Sequence, residues 1–306
     1  MGAGHHHHHH PAPPKGAHPG SAFAIAGGLN LAFVVVEGAA GWISGSMALI
    51  ADAGHNLSDV LSLVLAWVAS MLAARPPSER FTYGLKSSSI LAAIANAALL
   101  WVAIGGILVE TIRRFADPAP VGGTAMIAVA AAGIVVNGAS ALLFAKGSKS
   151  DLNLRAAFVH LMADAAVSAG VVVAGIMILL TGRAWIDPLA SLIVTAVIAW
   201  SSWHLLRDSL RLGMLGVPDA IDVGEVRTYL EALPGVERIH HLHIWPMSTT
   251  ESALTAHLVM PGTRPADAFL QDVAHELEHR FGIGHPTLQV EAGDQDCAIH
   301  GHAHHH

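Results

Sequence analysis

Residues 44–73 read SGSMALIADAGHNLSDVLSLVLAWVASMLA. From Met47 to Ala73 this stretch is apolar enough, and long enough, to cross a bilayer as one helix, for which about 20 residues suffice. Inside it stand His55 and Asp59, four residues apart and therefore on one face of that helix. Ionisable groups are expensive at that depth, so their presence marks a candidate functional site. The reading recurs at residues 151–164, DLNLRAAFVHLMAD, where His160 and Asp164 repeat the spacing inside another apolar segment. Together the two faces offer two imidazoles and two carboxylates, a ligand set that closes a tetrahedral zinc site. A bound divalent cation would offset the cost of desolvating the carboxylates. Imidazole and carboxylate suit zinc, and imidazole also titrates near neutral pH, so protons compete with the metal for the same groups. The bland alternative, His and Asp bonding across a helix interface, accounts for one such pair better than for two.

The rest of the chain fits this frame. Its 306 residues are 53% hydrophobic and 13% charged, with mean hydropathy +0.50, the profile of a multi-span membrane protein. Six spans are predicted: Ala22–Ile43, Met47–Ala73, Ser88–Ile112, Thr124–Ala145, Arg155–Leu180 and Ile186–Leu206. Short loops join them into an all-α bundle of antiparallel neighbours. Arg75, Arg80, Lys86, Lys146, Lys149, Arg155, Arg207 and Arg211 fall on one side, against Arg113, Arg114 and Arg183 on the other. The positive-inside rule then puts both termini in the cytoplasm of an integral membrane protein, expected in a bacterial inner membrane. The formal charge of -7 gives no reason to expect nucleic-acid binding, and the single cysteine, Cys297, excludes an intramolecular disulfide and a thiolate-rich metal site.

Four regions are expected: a disordered His/Pro-rich N-terminus (1–20), the six-helix transport domain (21–213), a soluble domain (214–293) and a His-rich tail (294–306). His5–His10 reads as an affinity tag or as native sequence, whereas the irregular run to His306 reads more readily as a native zinc-concentrating tail. In the soluble domain, Asp222–Leu233 and Pro265–Phe281 read as helices, and Val236–Pro246, Glu251–Met260 and Thr287–Glu291 as strands. This is an α+β domain in αββαβ order, ferredoxin-like, with its helices on one face of an antiparallel sheet. At about 80 residues it is small enough that dimerisation would help stabilise it. Regular alternation along residues 239–245, IHHLHIW, puts His241 and His243 on one face and His240 on the other. His257, His285 and Glu291 lie on neighbouring strands, and a sheet can bring such groups together.

The quoted stretches resemble the signatures of the second and fifth helices of the cation diffusion facilitators, and Asn30 and Glu37 match polar positions of the first helix. The resemblance runs from about Phe23 to Glu291. It implies a dimeric zinc/proton antiporter with six spans and a cytosolic metal-binding domain. It also implies His55, Asp59, His160 and Asp164 as transport ligands. In the cytosolic domain it favours His240, His257 and Glu291 as ligands, with Asp267 and His285 nearby. Family members with aspartate at the position of His55 accept cadmium more readily, so histidine here points to zinc. Where the family often follows its basic residue with an acid, Lys86 is followed by Ser87, Ser88 and Ser89; Asp208 is then the expected partner of Lys86. Asp52, one turn before His55, is expected either to orient a ligand or to face a water-filled cavity. Glu37, Asn30, Asn96 and Asn137 are expected as hydrogen-bonding groups between helices, and His204 at a membrane interface.

Zinc is thus the expected ligand at both sites, and divalent cations, protons, the bilayer and a second copy of the chain are the expected partners. The expected function is export of Zn2+ from the cytoplasm in exchange for H+, with no enzymatic reaction. Two rival readings remain. One is a membrane zinc sensor or buffer that binds metal without transporting it. The other is a membrane zinc metalloprotease using His275, Glu276 and His279, which fit H-E-x-x-H. Those histidines lie about 160° from Leu277, opposite the apolar stripe of their helix, which argues for a solvated face.

Overall fold

A computed structural model of the chain describes residues 19–145, 152–262 and 265–293. The expected disordered N-terminus up to residue 18, the tail from 294, Lys146, Lys149 and Cys297 lie outside the described residues. Among the described residues, six helices are long and apolar enough to cross a membrane. They are α1 (Pro19–Ser44), α2 (Met47–Ala73), α3 (Ser88–Ala116), α4 (Gly123–Ala145), α5 (Leu152–Thr181) and α6 (Ile186–Gly213). A small domain follows, made of α7 (Val223–Glu231), β1 (Arg238–Pro246), β2 (Ser252–Val259), α8 (Asp267–Phe281) and β3 (His285–Glu291). The αββαβ order is the expected one, and the chain is an integral membrane protein.

The chain divides into two compact units. One comprises the chain up to Val60 together with Gly106–Thr195. The other comprises Leu61–Gly105 and the chain from Ala196 onward.

In the first unit, α1 and α2 form a close antiparallel pair. Gly41 permits the approach, since a Cβ there would lie 3.0 Å from Ile50 Cγ1. Asp187, at the start of α6, anchors the first turn of α2. It accepts hydrogen bonds from Ser46 Oγ (2.6 Å) and the Met47 backbone N–H (2.8 Å), satisfying groups that a helix start leaves unpaired. The α4–α5 pair packs through small residues, as helices do where backbones must approach closely. A Cβ on Gly133 would come within 2.9 Å of Phe33 Cζ and 3.0 Å of Ser168 Oγ, and one on Gly175 within 2.7 Å of Ile127 Cγ1.

In the second unit, the small domain has its core between one face of the sheet and its two helices. Val226, Leu230, Leu254, Leu258, Val273, Leu277 and Ile283 are fully or almost fully buried there. The three-stranded sheet runs β1-β2-β3. Its β1–β2 pair is antiparallel, but β3 pairs parallel with β2, correcting the all-antiparallel expectation. The reason lies in the connections. A short turn joins β1 to β2, whereas α8 lies between β2 and β3 and forms the crossover that parallel neighbours require. The loop between α2 and α3 bonds to the β1–β2 turn, with Ser87 Oγ donating to Met247 O (3.2 Å) and the Thr249 N–H to Ser89 Oγ (3.1 Å). Lys86 pairs there with Glu251 rather than with Asp208. Its ammonium holds the Glu251 carboxyl below the usual carboxylate range, with a smaller contribution from His285.

Candidate metal centres

The first site lies within the first unit, between α2 and α5. Helical periodicity stacks His55 above Asp59 and His160 above Asp164, and the two faces meet. His55 Nε2 lies 3.5 Å from Asp164 Oδ1 and 3.8 Å from Asp59 Oδ2. His160 Nε2 lies 3.2 Å from Asp59 Oδ2 and 3.5 Å from Asp164 Oδ2. Each imidazole thus addresses both carboxylates. Asp59, His160 and Asp164 bring one ligand atom apiece within 4.8 Å of one another, and His55 closes the group from the fourth side. Asp164 is only 3% exposed and His160 47%, so the site has a buried floor and a more open edge. Two neutral imidazoles and two carboxylates form a net dianion, matched in charge to one divalent cation.

Around it the expected second rank is only partly as anticipated. Asp52 is fully buried and accepts a hydrogen bond from Ser168 Oγ at 3.0 Å, so it does not face a water-filled cavity. Glu37 is fully buried as well, and its Oε2 accepts from Asn56 Nδ2 at 3.2 Å. Ser168 and Asn56 had not been singled out from the chain. Helical spacing was the available signal, since Ser168 stands four residues after Asp164 and Asn56 four after Asp52.

The second site lies on the sheet of the small domain. His240 on β1 stands opposite His257 on β2, and Glu291 ends β3. His240 Nε2 and His257 Nδ1 each lie 2.8 Å from a Glu291 oxygen, one on Oε2 and the other on Oε1. Their ligand atoms lie within 4.8 Å of one another. Partial burial alone would raise the Glu291 carboxyl; the hydrogen bonds and charge of His240 and His257 outweigh it and hold the group below the usual carboxylate range. The structure does not bring the other two expected residues here. His285, at the start of β3, lies 3.4 Å from Glu251 and beside Lys86, while Asp267 opens α8 on the exposed face.

His241 departs from the expected alternation. The β1–β2 register slips between His240 and His243, and His241 takes a left-handed φ of 50°. This bulge adds one residue to β1 and turns the His241 ring to 5.1 Å from both His240 and His257, between ring centroids. The available signal was the pair Ile239 and Ile244. They are five residues apart and both buried, which regular alternation forbids. His275, Glu276 and His279 are all exposed on α8, opposite the buried Val273, Leu277 and Phe281.

Comparison with known proteins places this architecture. Residues 23–212 match the model of the cation efflux transmembrane domain, and residues 218–293 that of the cation efflux protein cytoplasmic domain. The cadmium, cobalt and zinc/H(+)-K(+) antiporter of Bacillus subtilis is 37% identical over 274 residues, covering 87% of this chain and 88% of that protein. The zinc transporter ZitB of Escherichia coli is 37% identical over 288 residues, covering 91% and 92%. The solved metal-bound C-terminal domain of the CzcD transporter from Cupriavidus metallidurans is 33% identical, covering 23% of this chain and 99% of that one, with a TM-score of 0.22. With a transmembrane model matched across most of its length and relatives this similar over nearly all of it, the chain belongs to the cation efflux family, the cation diffusion facilitators.

Proposed function

We propose that this protein exports Zn2+ from the cytoplasm in exchange for H+, as a homodimer in a bacterial inner membrane with both termini cytoplasmic. The observation that carries the proposal is the convergence of His55, Asp59, His160 and Asp164, two imidazoles and two carboxylates from α2 and α5. Zinc takes these ligand types in tetrahedral geometry. Histidine in the set lets protons displace the metal, which is the chemical basis for exchange. The eight basic residues on one side, against three on the other, support the orientation. Both relatives' names include zinc, which supports it as the cargo, and the name of the Bacillus subtilis antiporter, which gives H+ together with K+, supports protons as a counter-ion. The reading is of a transporter with no reaction catalysed; His275 and His279 are exposed, and among the described residues no third ligand gathers with them as a zinc protease needs.

His240, His257 and Glu291 form, in this reading, a separate zinc site that stabilises or regulates the cytosolic domain. Its donors are two imidazoles and a carboxylate held below the usual carboxylate range, so the donor set fits zinc. Purified protein in vesicles is expected to take up zinc when a pH gradient is imposed. Asp59→Ala and Asp164→Ala should each abolish that uptake. Uptake by both variants at the wild-type rate would remove the assignment of the transport ligands.

A further inference from the structure

Behind the proposed metal ligands lies a second polar layer that the ligand set leaves unused. Glu37 on α1 and Asp52 on α2 are both 0% exposed, and Asn56 on α2 is 2% exposed. Glu37 Oε2 accepts from Asn56 Nδ2, and Asp52 Oδ2 accepts from Ser168 Oγ on α5. The Glu37 and Asp52 carboxyls lie close enough to act on each other directly. Apart from that mutual contact, Glu37 Oε1, Asp52 Oδ1 and Asn56 Oδ1 have no donor among the described residues. The layer is therefore short of hydrogen: two donor groups serve five buried acceptor oxygens, and three of those are left without a donor among the described residues.

Two ionised carboxylates carry acceptors alone, and a proton on one of them supplies a donor that the layer otherwise lacks. Burial argues the same way, since two adjacent unpaired carboxylates away from water are costly and one shared proton halves the charge. The pair stands about one helical turn from the metal ligands, because Asp52 precedes His55 by three residues and Ser168 follows Asp164 by four. Of the titratable groups on the helices around it, His55 on α2 and Asp164 on α5 act on the pair through their charge. On α4 the fully buried polar groups are the neutral Asn137 and Ser140.

We propose that Glu37 and Asp52 form a proton-binding site separate from the metal ligands, in which one proton bridges the two carboxyls while the metal site is empty and leaves when a divalent cation arrives. This rests on the zinc/proton exchange reading and assigns one exchanged proton to a place. The balance is simple: the pair goes from monoanion to dianion, one proton passes to solvent, and the neighbouring cation compensates the added charge.

The test is infrared difference spectroscopy on the full-length protein, with zinc added to the metal-free state. Loss of a protonated-carboxyl C=O band on zinc addition is expected in wild type. It is expected to vanish in Glu37→Gln/Asp52→Asn, and in the single variants should the double variant fail to fold. In parallel, the double variant should release about one proton fewer per zinc bound, read by a pH indicator in weak buffer. The proposal is overturned if wild type shows no protonated carboxyl, as when a cation or water satisfies the layer. It is equally overturned if the band loss and proton count persist in the variants. If the exchange reading alone fails, zinc-driven proton flux in vesicles is absent while the resting protonated-carboxyl band remains.

Discussion

The most buried ligand candidate, Asp164, lies within 3.5 Å of both His55 and His160 and so joins the two helical faces. Asp164→Asn keeps its shape and removes its charge. It is expected to weaken zinc binding at this site more than tenfold, about 1.4 kcal/mol or more, by chelator competition on the Glu291→Ala background; a change under twofold would contradict the role. Residue-scale chemistry also sets a pH window at the Lys86–Glu251 pair. The Glu251 carboxyl is lowered in the folded protein, chiefly by Lys86, so the pair stabilises the fold above the ordinary carboxylate pKa. That contribution is lost as pH falls through the lowered value. Lys86→Gln is therefore expected to lower the melting temperature slightly at pH 7, and the difference from wild type should close in strong acid. Glu251 is 43% exposed, so the effect stays below about 1 kcal/mol. The four proposed metal ligands were legible in the sequence because helical spacing sets each histidine beside its own aspartate, and the family resemblance implies their transport role. The partner of Lys86 was not, because Glu251 lies 165 residues away on a turn whose docking depends on tertiary packing.

Among the elements, α2 and α5 carry the first site, and their lengths and faces could be read from hydropathy and period. Their depth of packing could not. Gly133 sits so close to Phe33 and Ser168 that Gly133→Val is expected to cost about 1–3 kcal/mol and lower the melting temperature; an unchanged melting temperature would contradict this packing. The small domain shows the same division. Its αββαβ order followed from alternation and turns, but the bulge at His241 did not, because the extra residue in β1 is imposed by pairing with β2. Parallel pairing of β3 could be inferred only from the length of the α8 crossover. Zinc is expected to stabilise this domain in the full-length protein by about 2.7 kcal/mol at a concentration 100 times its Kd. His257→Ala or Glu291→Ala should remove the shift. A zinc-induced shift that survives in both variants would assign it to other ligands.

For the whole molecule, the number of spans and the family were both readable from six apolar segments and the two His–Asp pairs with the stretches around them, and family membership rests on matches across residues 23–212 and 218–293. What stayed illegible was the meeting of Glu37, Asp52, Asn56 and Ser168, which come from three helices whose mutual approach no single-segment pattern records. Both layers serve one central claim, that zinc and protons exchange across the membrane through the α2–α5 site. The most direct measurement imposes a zinc gradient, with no pH gradient, on vesicles carrying the purified protein and a pH-sensitive dye in the lumen. Zinc entering through wild type is expected to drive protons out and raise the lumenal pH. Vesicles with Asp59→Ala/Asp164→Ala should show neither zinc entry nor a pH change. Zinc entry through wild type with the lumenal pH unmoved, or an undiminished pH rise in the double variant, would contradict the claim.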